Sequence, residues 1–225
     1  MPAEVLERWG SAVRPYLRSG PMRVVDVGAG TGIFAAAWPS WTAARVVGVE
    51  PSAAMIRAGD VVDPAVSFVQ GVAEALPLRD ASADVVWVST ALHHFGHVHQ
   101  SVGEFARVLR SSGRVLVRTY VPGRTAVTWA DEFPGRSKWL ARFPTEGELE
   151  GMFRPHAFTL TDAREVLEWT ETYGASARWV ERMRDADSML TALSDEEVAQ
   201  GLDALRADPS RLSRLELTLL VFTRA

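Results

Sequence analysis

Val24-Val25-Asp26-Val27-Gly28-Ala29-Gly30-Thr31-Gly32-Ile33-Phe34 is the stretch that decides how this chain folds. Four strand-forming residues run into a glycine-rich turn, and the apolar residues after it open a helix. A second apolar run, Val46-Val47-Gly48-Val49, follows and ends in an acid, Glu50. Strand, glycine turn, helix, strand and acid form the unit with which an open α/β sheet builds a nucleoside pocket. Glycine lets the backbone approach a ligand where a Cβ would clash. A carboxylate at the tip of the second strand can accept both hydroxyls of a ribose.

Glycine spacing narrows the nucleoside. A dinucleotide site uses G-x-G-x-x-G, in which the third glycine packs helix on strand. Here the glycines are Gly28, Gly30 and Gly32, and position 33 is Ile. With Asp26 leading in, D-x-G-x-G-x-G resembles the first motif of the class I S-adenosylmethionine (SAM)-dependent methyltransferases. Three further stretches resemble motifs of that family in order. Gly71-Val72-Ala73-Glu74 with Leu76-Pro77-Leu78 is similar to its G-D-A-E-x-L-P segment, with Val72 where the family has Asp. Ala91-Leu92-His93-His94-Phe95 resembles its fourth motif. Phe105 to Val117, through Ser111-Ser112-Gly113, resembles its helix–turn–strand, with Ser112 in place of proline. The resemblance covers roughly residues 20–120.

The resemblance implies that SAM is the cofactor and S-adenosylhomocysteine the product. The turn residues Gly28, Ala29, Gly30, Thr31 and Gly32 would cradle the nucleoside. Asp26 would serve the ammonium of the amino-acid tail, directly or through water. Glu50, Pro51 and Met55 would meet the ribose and adenine. Val72, Ala73 and Glu74 would meet the adenine edge, and Ser89 and Thr90 would lie at the tip of the fourth strand. An N-terminal segment closes over the cofactor in this family, which brings in Tyr16.

The rest of the chain reads as one α/β domain. Residues 3–19 have Val5, Leu6, Trp9, Val13, Tyr16 and Leu17 roughly on one face, the pattern of an amphipathic helix that Pro15 interrupts. Strands are expected at 23–27, 45–49, 66–69, 82–90, 114–120, 156–168 and 215–223. Helices are expected at 32–38, 52–56, 99–110, 145–152, 171–190 and 194–205. The helix 99–110 should stop at a Ser111-Ser112-Gly113 turn. Ser194 with Glu197, and Thr145 with Glu148, have the spacing of capping boxes. Alternating strands and helices give a doubly wound, Rossmann-like, mostly parallel sheet with helices on both faces. The resemblance adds seven strands, the last antiparallel, and a C-terminal helical lid. The organisation is then a cap helix at 1–20, a cofactor-binding core at 21–120, a substrate and lid region at 121–212, and a last strand at 213–225.

Composition excludes several chemistries. The 225 residues contain no cysteine, so disulfides, thiolate metal sites and cysteine nucleophiles are absent from the chain. Net charge is −4 and there is no basic stripe, which disfavours nucleic acid. The N-terminal stretch carries Glu4 and Glu7 without an apolar signal core, and no apolar run is long enough to span a bilayer. A cytoplasmic enzyme with neither membrane nor nucleic-acid partner is expected. The sequence is silent on oligomeric state.

Four of the five histidines fall in Leu92-His93-His94-Phe95-Gly96-His97-Val98-His99. Adjacent loop histidines without a neighbouring Asp, Glu or Cys do not complete a metal set, so no metal is expected. His93 and His94 sit at the tip of the fourth strand and are the candidate bases, because imidazole titrates near neutral pH. The competing reading is that either packs beneath the cofactor. Between Tyr120 and Val180 lie ten aromatics, including Trp129, Phe133, Trp139, Phe143, Phe153, Phe158 and Tyr173. They suggest an apolar or aromatic small-molecule acceptor, although some must be core. Arg118, Arg124 and Arg142 could meet an anionic group. The leading reading is methylation of a small molecule at O, N or C. Quinone-type C-methylation is the alternative within the family, and a non-catalytic SAM-binding regulator is the alternative from another class.

Overall fold

The computed structural model describes residues 1–59 and 63–224, so the last residue of the expected final segment lies outside it. Seven strands form one sheet in the order β3-β2-β1-β4-β5-β7-β6. They are β1 (Met22–Val27), β2 (Ala44–Glu50), β3 (Val66–Gln70), β4 (Ala83–Ser89), β5 (Leu109–Thr119), β6 (Phe158–Thr172) and β7 (Leu212–Arg224). β1 pairs in parallel with both β2 and β4, and β4 in parallel with β5. β7 is antiparallel to β5. The chain therefore winds outward from β1 to β3, returns to β4 beside β1, and winds the other way. Such a reversal leaves a crevice at the carboxyl ends of β1 and β4.

Register assigns the side chains to faces. Asp26 pairs with Trp87, so both point to the same side of the sheet. That side is covered by α1 (Ala3–Val13) and α2 (Ile33–Trp41), whose Trp9, Phe34, Trp38 and Trp41 rings surround Trp87. The other side carries Val86, Val115 and Phe222 in register, and Phe222 stacks on Phe153 of α6 (Glu146–Phe153) at 3.8 Å. α4 (Val98–Val108) contributes Val102 and Phe105 to the buried set, and α6 packs beside it. Burying an aromatic or branched side chain of this size stabilises the fold by about 1.5–3 kcal/mol.

Two expectations shift in the structure, and the break at Pro15 is found as expected. The α4 helix ends at Val108, and Ser111-Ser112-Gly113 lies within β5 and forms no free turn. Leu109 already pairs with Ala83, and the register slips before Arg114 meets Val85. Phe153 and Phe158 line no acceptor pocket, because they pack edge to face in the sheet's core. The N-terminal helix stops at Val13 and passes into a 3-10 turn, Arg14–Tyr16, at Pro15.

Two compact units make up the chain. The first holds Met1–Thr119, Glu146–Val166 and Thr218–Ala225; the second holds Tyr120–Thr145 and Leu167–Leu217. The second unit contains α5 (Arg136–Leu140), α7 (Tyr173–Met183) and α8 (Asp195–Ala207). It has a core of its own built on Trp129, Phe133, Tyr173, Val180 and Leu190. α7 starts at Thr172, whose hydroxyl accepts the Ala175 N–H. α8 starts with the capping box read from the sequence: Ser194 Oγ accepts from Glu197 N at 3.2 Å, and Ser194 N donates to the Glu197 carboxylate at 2.9 Å.

Candidate active site

A cavity of about 740 Å³ opens at the carboxyl ends of β1, β2 and β4, inside the first unit. The turn after β1 forms one wall. Gly28, Gly30 and Gly32 all have positive φ, at +72°, +58° and +84°. A Cβ on Gly28 would lie 2.6 Å from the Ala91 Cβ, so this turn and the loop after β4 can touch only because position 28 is glycine. Gly32 is the left-handed residue from which α2 starts, and it does not itself line the cavity. Its contribution is to turn the chain.

Glu50 is the best-defined polar group in the cavity. It is 8% exposed. Gly30 N donates to one of its oxygens at 2.9 Å and Ser52 N to the other at 2.9 Å. These bonds fix the plane of the carboxylate while leaving each oxygen a second lone pair. Ser52 in turn caps α3 (Ala53–Ala58), accepting from Met55 N, so cap and acid brace one another. Pro51 and Met55 complete this wall.

Val72, Ala73 and Glu74 line the opposite side. The segment is anchored from α4, whose Glu104 accepts the Leu76 N–H at 2.7 Å. Arg107 donates to the Leu76 and Leu78 carbonyls and to Asp80. The same guanidinium holds the Glu104 carboxyl below the usual carboxylate range. Glu74 lines the cavity, but its carboxylate accepts the His97 N–H at 3.1 Å at the start of α4. This bond turns Glu74 toward bracing the helix. Of the large apolar side chains that stay exposed, Met1, Ile33, Met55 and Val72 all line this cavity. Such a wet apolar wall is suited to a flat heterocycle.

Asp26 lies at the floor, 1% exposed, and lines the cavity. One oxygen is held by the Ala35 backbone, while Oδ2 has no hydrogen-bond partner. Burial, with the neighbouring Glu50 charge adding to it, pushes its pKa up to about 7. Ser89 and Thr90 line the far side with Arg118. Thr90 adopts φ +49°, unusual for a β-branched residue, and its N–H donates to the Arg118 carbonyl at 2.7 Å.

Two expected residues lie elsewhere. The Tyr16 hydroxyl donates to Asp162 of β6, and its carbonyl accepts from Arg114 in the middle of β5. Burial, with the Asp162 bond adding to it, pushes its pKa up to about 12, and it does not line the cavity. The N-terminal segment reaches the cavity with Met1 instead. His93 and His94 belong to the 3-10 turn Leu92–His94 that follows β4, and their rings are 3.9 Å apart. His94 lines the cavity and is exposed; the His93 ring nitrogens are buried outside it. The turn thus splits the pair, and of the two only His94 lines the cavity. Residues without an obvious sequence signal also line the site, among them Ile33, Phe34 and Ala91, and of the three arginines singled out in the sequence Arg118 lines it.

Among the described residues no group of three or more His, Asp or Glu side chains is placed to hold a metal ion. No helix among them is long and apolar enough to cross a membrane. The residues present suit a sulfonium nucleoside. Glu50 offers paired acceptors for a diol, the apolar wall suits an adenine, and the orphaned Asp26 Oδ2 is a site for a cation.

Comparison with known proteins places this arrangement in context. A family described as "Methyltransferase domain" matches residues 25–117. The chain is 38% identical over 106 residues to the uncharacterized methyltransferase YcgJ of Bacillus subtilis, a match covering 44% of this chain and 42% of that protein. It is 31% identical over 176 residues to the ubiquinone/menaquinone biosynthesis C-methyltransferase UbiE of Methylobacterium nodulans, covering 66% of this chain and 69% of that one. The chain thus spans less than half of the first relative and about two thirds of the second. Among solved structures, a protein of Anabaena variabilis named for a methyltransferase of an antibiotic biosynthesis pathway superimposes with a TM-score of 0.75. It is 25% identical, with 97% of each chain covered.

Proposed function

The chain belongs to the class I SAM-dependent methyltransferases, and from that premise we propose that it transfers a methyl group from SAM to a small-molecule acceptor. The observation that carries the reading is the Glu50 carboxylate, fixed by Gly30 and Ser52 N–H groups at the mouth of a glycine turn. In that position it would accept the two ribose hydroxyls. Met55 and Val72 would flank the adenine, and Asp26 would take the ammonium of the amino-acid tail.

SAM supplies a methyl group on a positively charged sulfur, so transfer is a displacement at carbon with a neutral thioether leaving. The protein's own part is to align the acceptor with the methyl group and to keep water out. An acceptor that loses a proton needs a base within reach. His94 would take this role, and its position on the turn after β4, lining the cavity, supports that reading. His93 is not, because its ring nitrogens are buried outside the cavity. The acidic net charge of −4 accords with a small acceptor in place of nucleic acid, and the reading places the protein in the cytoplasm. The likeness to a quinone C-methyltransferase supports a second form of the proposal, in which the acceptor is a phenolic ring methylated at carbon.

Titration calorimetry with S-adenosylhomocysteine and, separately, NAD tests the cofactor. Binding of NAD alone would overturn the proposal. A panel of phenols, amines and carboxylates with labelled SAM then tests turnover. His94→Ala should lower kcat by about 10²- to 10⁴-fold with S-adenosylhomocysteine affinity unchanged. An equal loss of affinity and rate would make His94 a binding residue instead.

A further inference from the structure

The histidine-rich run at 93–99 completes no metal set on its own, and the fifth histidine, His156, stands far along the chain. The fold brings it back. His156 ends the 3-10 turn Arg154–His156 that follows α6, and His99 lies in the first turn of α4. Their ring centres are 6.5 Å apart, with the ring planes tilted by 40°. Neither ring lines the cavity, so the proposed reaction uses neither.

A glycine makes the seat for His156. A Cβ on Gly103 would stand 3.2 Å from His156 Cε1 and 3.5 Å from Nδ1. Glycine inside a helix is destabilising relative to alanine. Here the missing Cβ lets an imidazole come down onto the surface of α4. Positions 99 and 103 share one face of the helix, so the seat holds His156 beside His99. The backbones on both sides are held in place. The Glu74 carboxylate accepts the His97 N–H at 3.1 Å, and Gln100 Nε2 donates to the Glu74 carbonyl at 3.0 Å, which ties down the start of α4. Phe153, just before the 3-10 turn, stacks on Phe222 in the core.

Two imidazoles bound to one tetrahedral ion, with bonds of about 2.1 Å, have ring centres about 5.3 Å apart. His99 is exposed and His156 half-buried, so a swing of about 1 Å by the His99 side chain closes the difference without moving either backbone. Imidazole suits zinc, nickel and copper ions, whereas magnesium and calcium take oxygen ligands. Among the described residues no third His, Asp or Glu completes the set, so water would fill the remaining positions.

We propose that His99 and His156 form a two-histidine site for a divalent transition-metal ion such as Zn²⁺. The ion pins the end of α6 to the first turn of α4. Two ligands so distant in sequence meet in the folded chain, so metal binding stabilises the fold. The site is separate from the cavity, and the inference stands or falls independently of the cofactor reading.

The test titrates the untagged protein by calorimetry with ZnCl2 and, separately, with MgCl2, at about pH 7.5, where imidazole is mostly neutral. Thermal melting with each ion, and with a chelator, is the second readout. The parent should bind one Zn²⁺ and melt at a higher temperature with it, while Mg²⁺ does neither. His99→Ala and His156→Ala should each lose saturable Zn²⁺ binding and the metal-dependent shift. His97→Ala, on the same segment, should bind Zn²⁺ as the parent does. His99→Ala changes an exposed side chain, so its result does not depend on packing lost at His156. A parent that binds no Zn²⁺ overturns the proposal. Binding that survives either His99→Ala or His156→Ala places the ion elsewhere and overturns it as well. Equal loss in His97→Ala refutes the pairing, and equal binding of Mg²⁺ refutes an imidazole site.

Discussion

Replacing Asp26 by asparagine should change how stability depends on pH, in a direction opposite to ordinary acid denaturation. In the unfolded chain this carboxyl ionises near 3.8, and in the fold burial raises it to about 7. Between those values the unfolded chain has lost the proton while the native state still holds it. Stability therefore falls as pH rises through that window and levels off above about 7. The whole difference is worth about 4 kcal/mol at 1.36 kcal/mol per pH unit, of which about 2.5 kcal/mol falls between pH 5 and pH 8. Asp26 is fully buried, so solvent does little to screen the effect. The carboxylates held low by their partners, Asp84, Glu104, Asp162 and Glu197, change stability on the acid side of this window. The asparagine amide keeps the acceptor that Ala35 needs and cannot ionise. The stability gap between Asp26→Asn and the parent should widen in the variant's favour by about 2–3 kcal/mol from pH 5 to 8. With a urea m-value of about 2 kcal/mol/M, that is roughly a 1 M relative change in midpoint, followed by tryptophan fluorescence. Parallel pH profiles for the two proteins would refute the reasoning. Binding supplies a second readout. A ligand ammonium at Asp26 should expel the proton, so that at pH 6 the heat of S-adenosylhomocysteine binding depends on the buffer's ionisation enthalpy in the parent and far less in the variant.

Other residues give equally direct tests. Glu50→Gln loses the charge and sets an amide NH2 against one of two backbone donors, so S-adenosylhomocysteine affinity should fall about 100-fold by calorimetry with the fold intact by circular dichroism. Gly28→Ala adds a Cβ 2.6 Å from that of Ala91 at φ +72°, and thermal melting should show a loss of about 1–3 kcal/mol together with weakened ligand binding. Ser194→Ala removes half of the α8 capping box and should cost about 1 kcal/mol in chemical denaturation, without altering ligand affinity.

What was legible in the sequence was what local chemistry dictates. Gly28 to Thr31 and Glu50 form a turn and an acid whose roles follow from backbone freedom and strand direction, and the structure puts them around one cavity. Ser194 caps α8 with Glu197, as their spacing predicts, because a hydroxyl before a helix satisfies its first amides. Features set by distant partners were not legible. Tyr16 lies on the apolar stripe of the N-terminal segment, yet Asp162, 146 residues away, holds its hydroxyl. His93 and His94 are chemically alike in sequence, and only the 3-10 turn after β4 decides which faces the cavity. The aromatics after residue 120 suggested an acceptor pocket, but Trp129, Phe133 and Tyr173 form a core, and periodicity cannot separate lining from packing. Arg118 did carry a signal, a cation closing an apolar run in a central strand. Its meaning required knowing that Trp9 and Phe34 flank it.

The charges of the site bear on why the acceptor is hard to read while the cofactor is not. A nucleoside with an amino-acid tail presents a diol, a flat heterocycle, an ammonium and a carboxylate. Each needs a distinct partner, and under the proposed function Glu50, the Met55–Val72 wall and Asp26 would answer the first three from one cavity of about 740 Å³. Methyl transfer asks much less of the acceptor side. The sulfonium already carries the activation, so positioning and dryness account for most of the barrier reduction. Positioning can be achieved by almost any well-packed surface, and it leaves no residue-type signature. The exception is proton removal, which needs a titratable group facing the acceptor. Under the proposed function His94, which lines the cavity, would be that group, and the acceptor's acidity would then matter more than its shape.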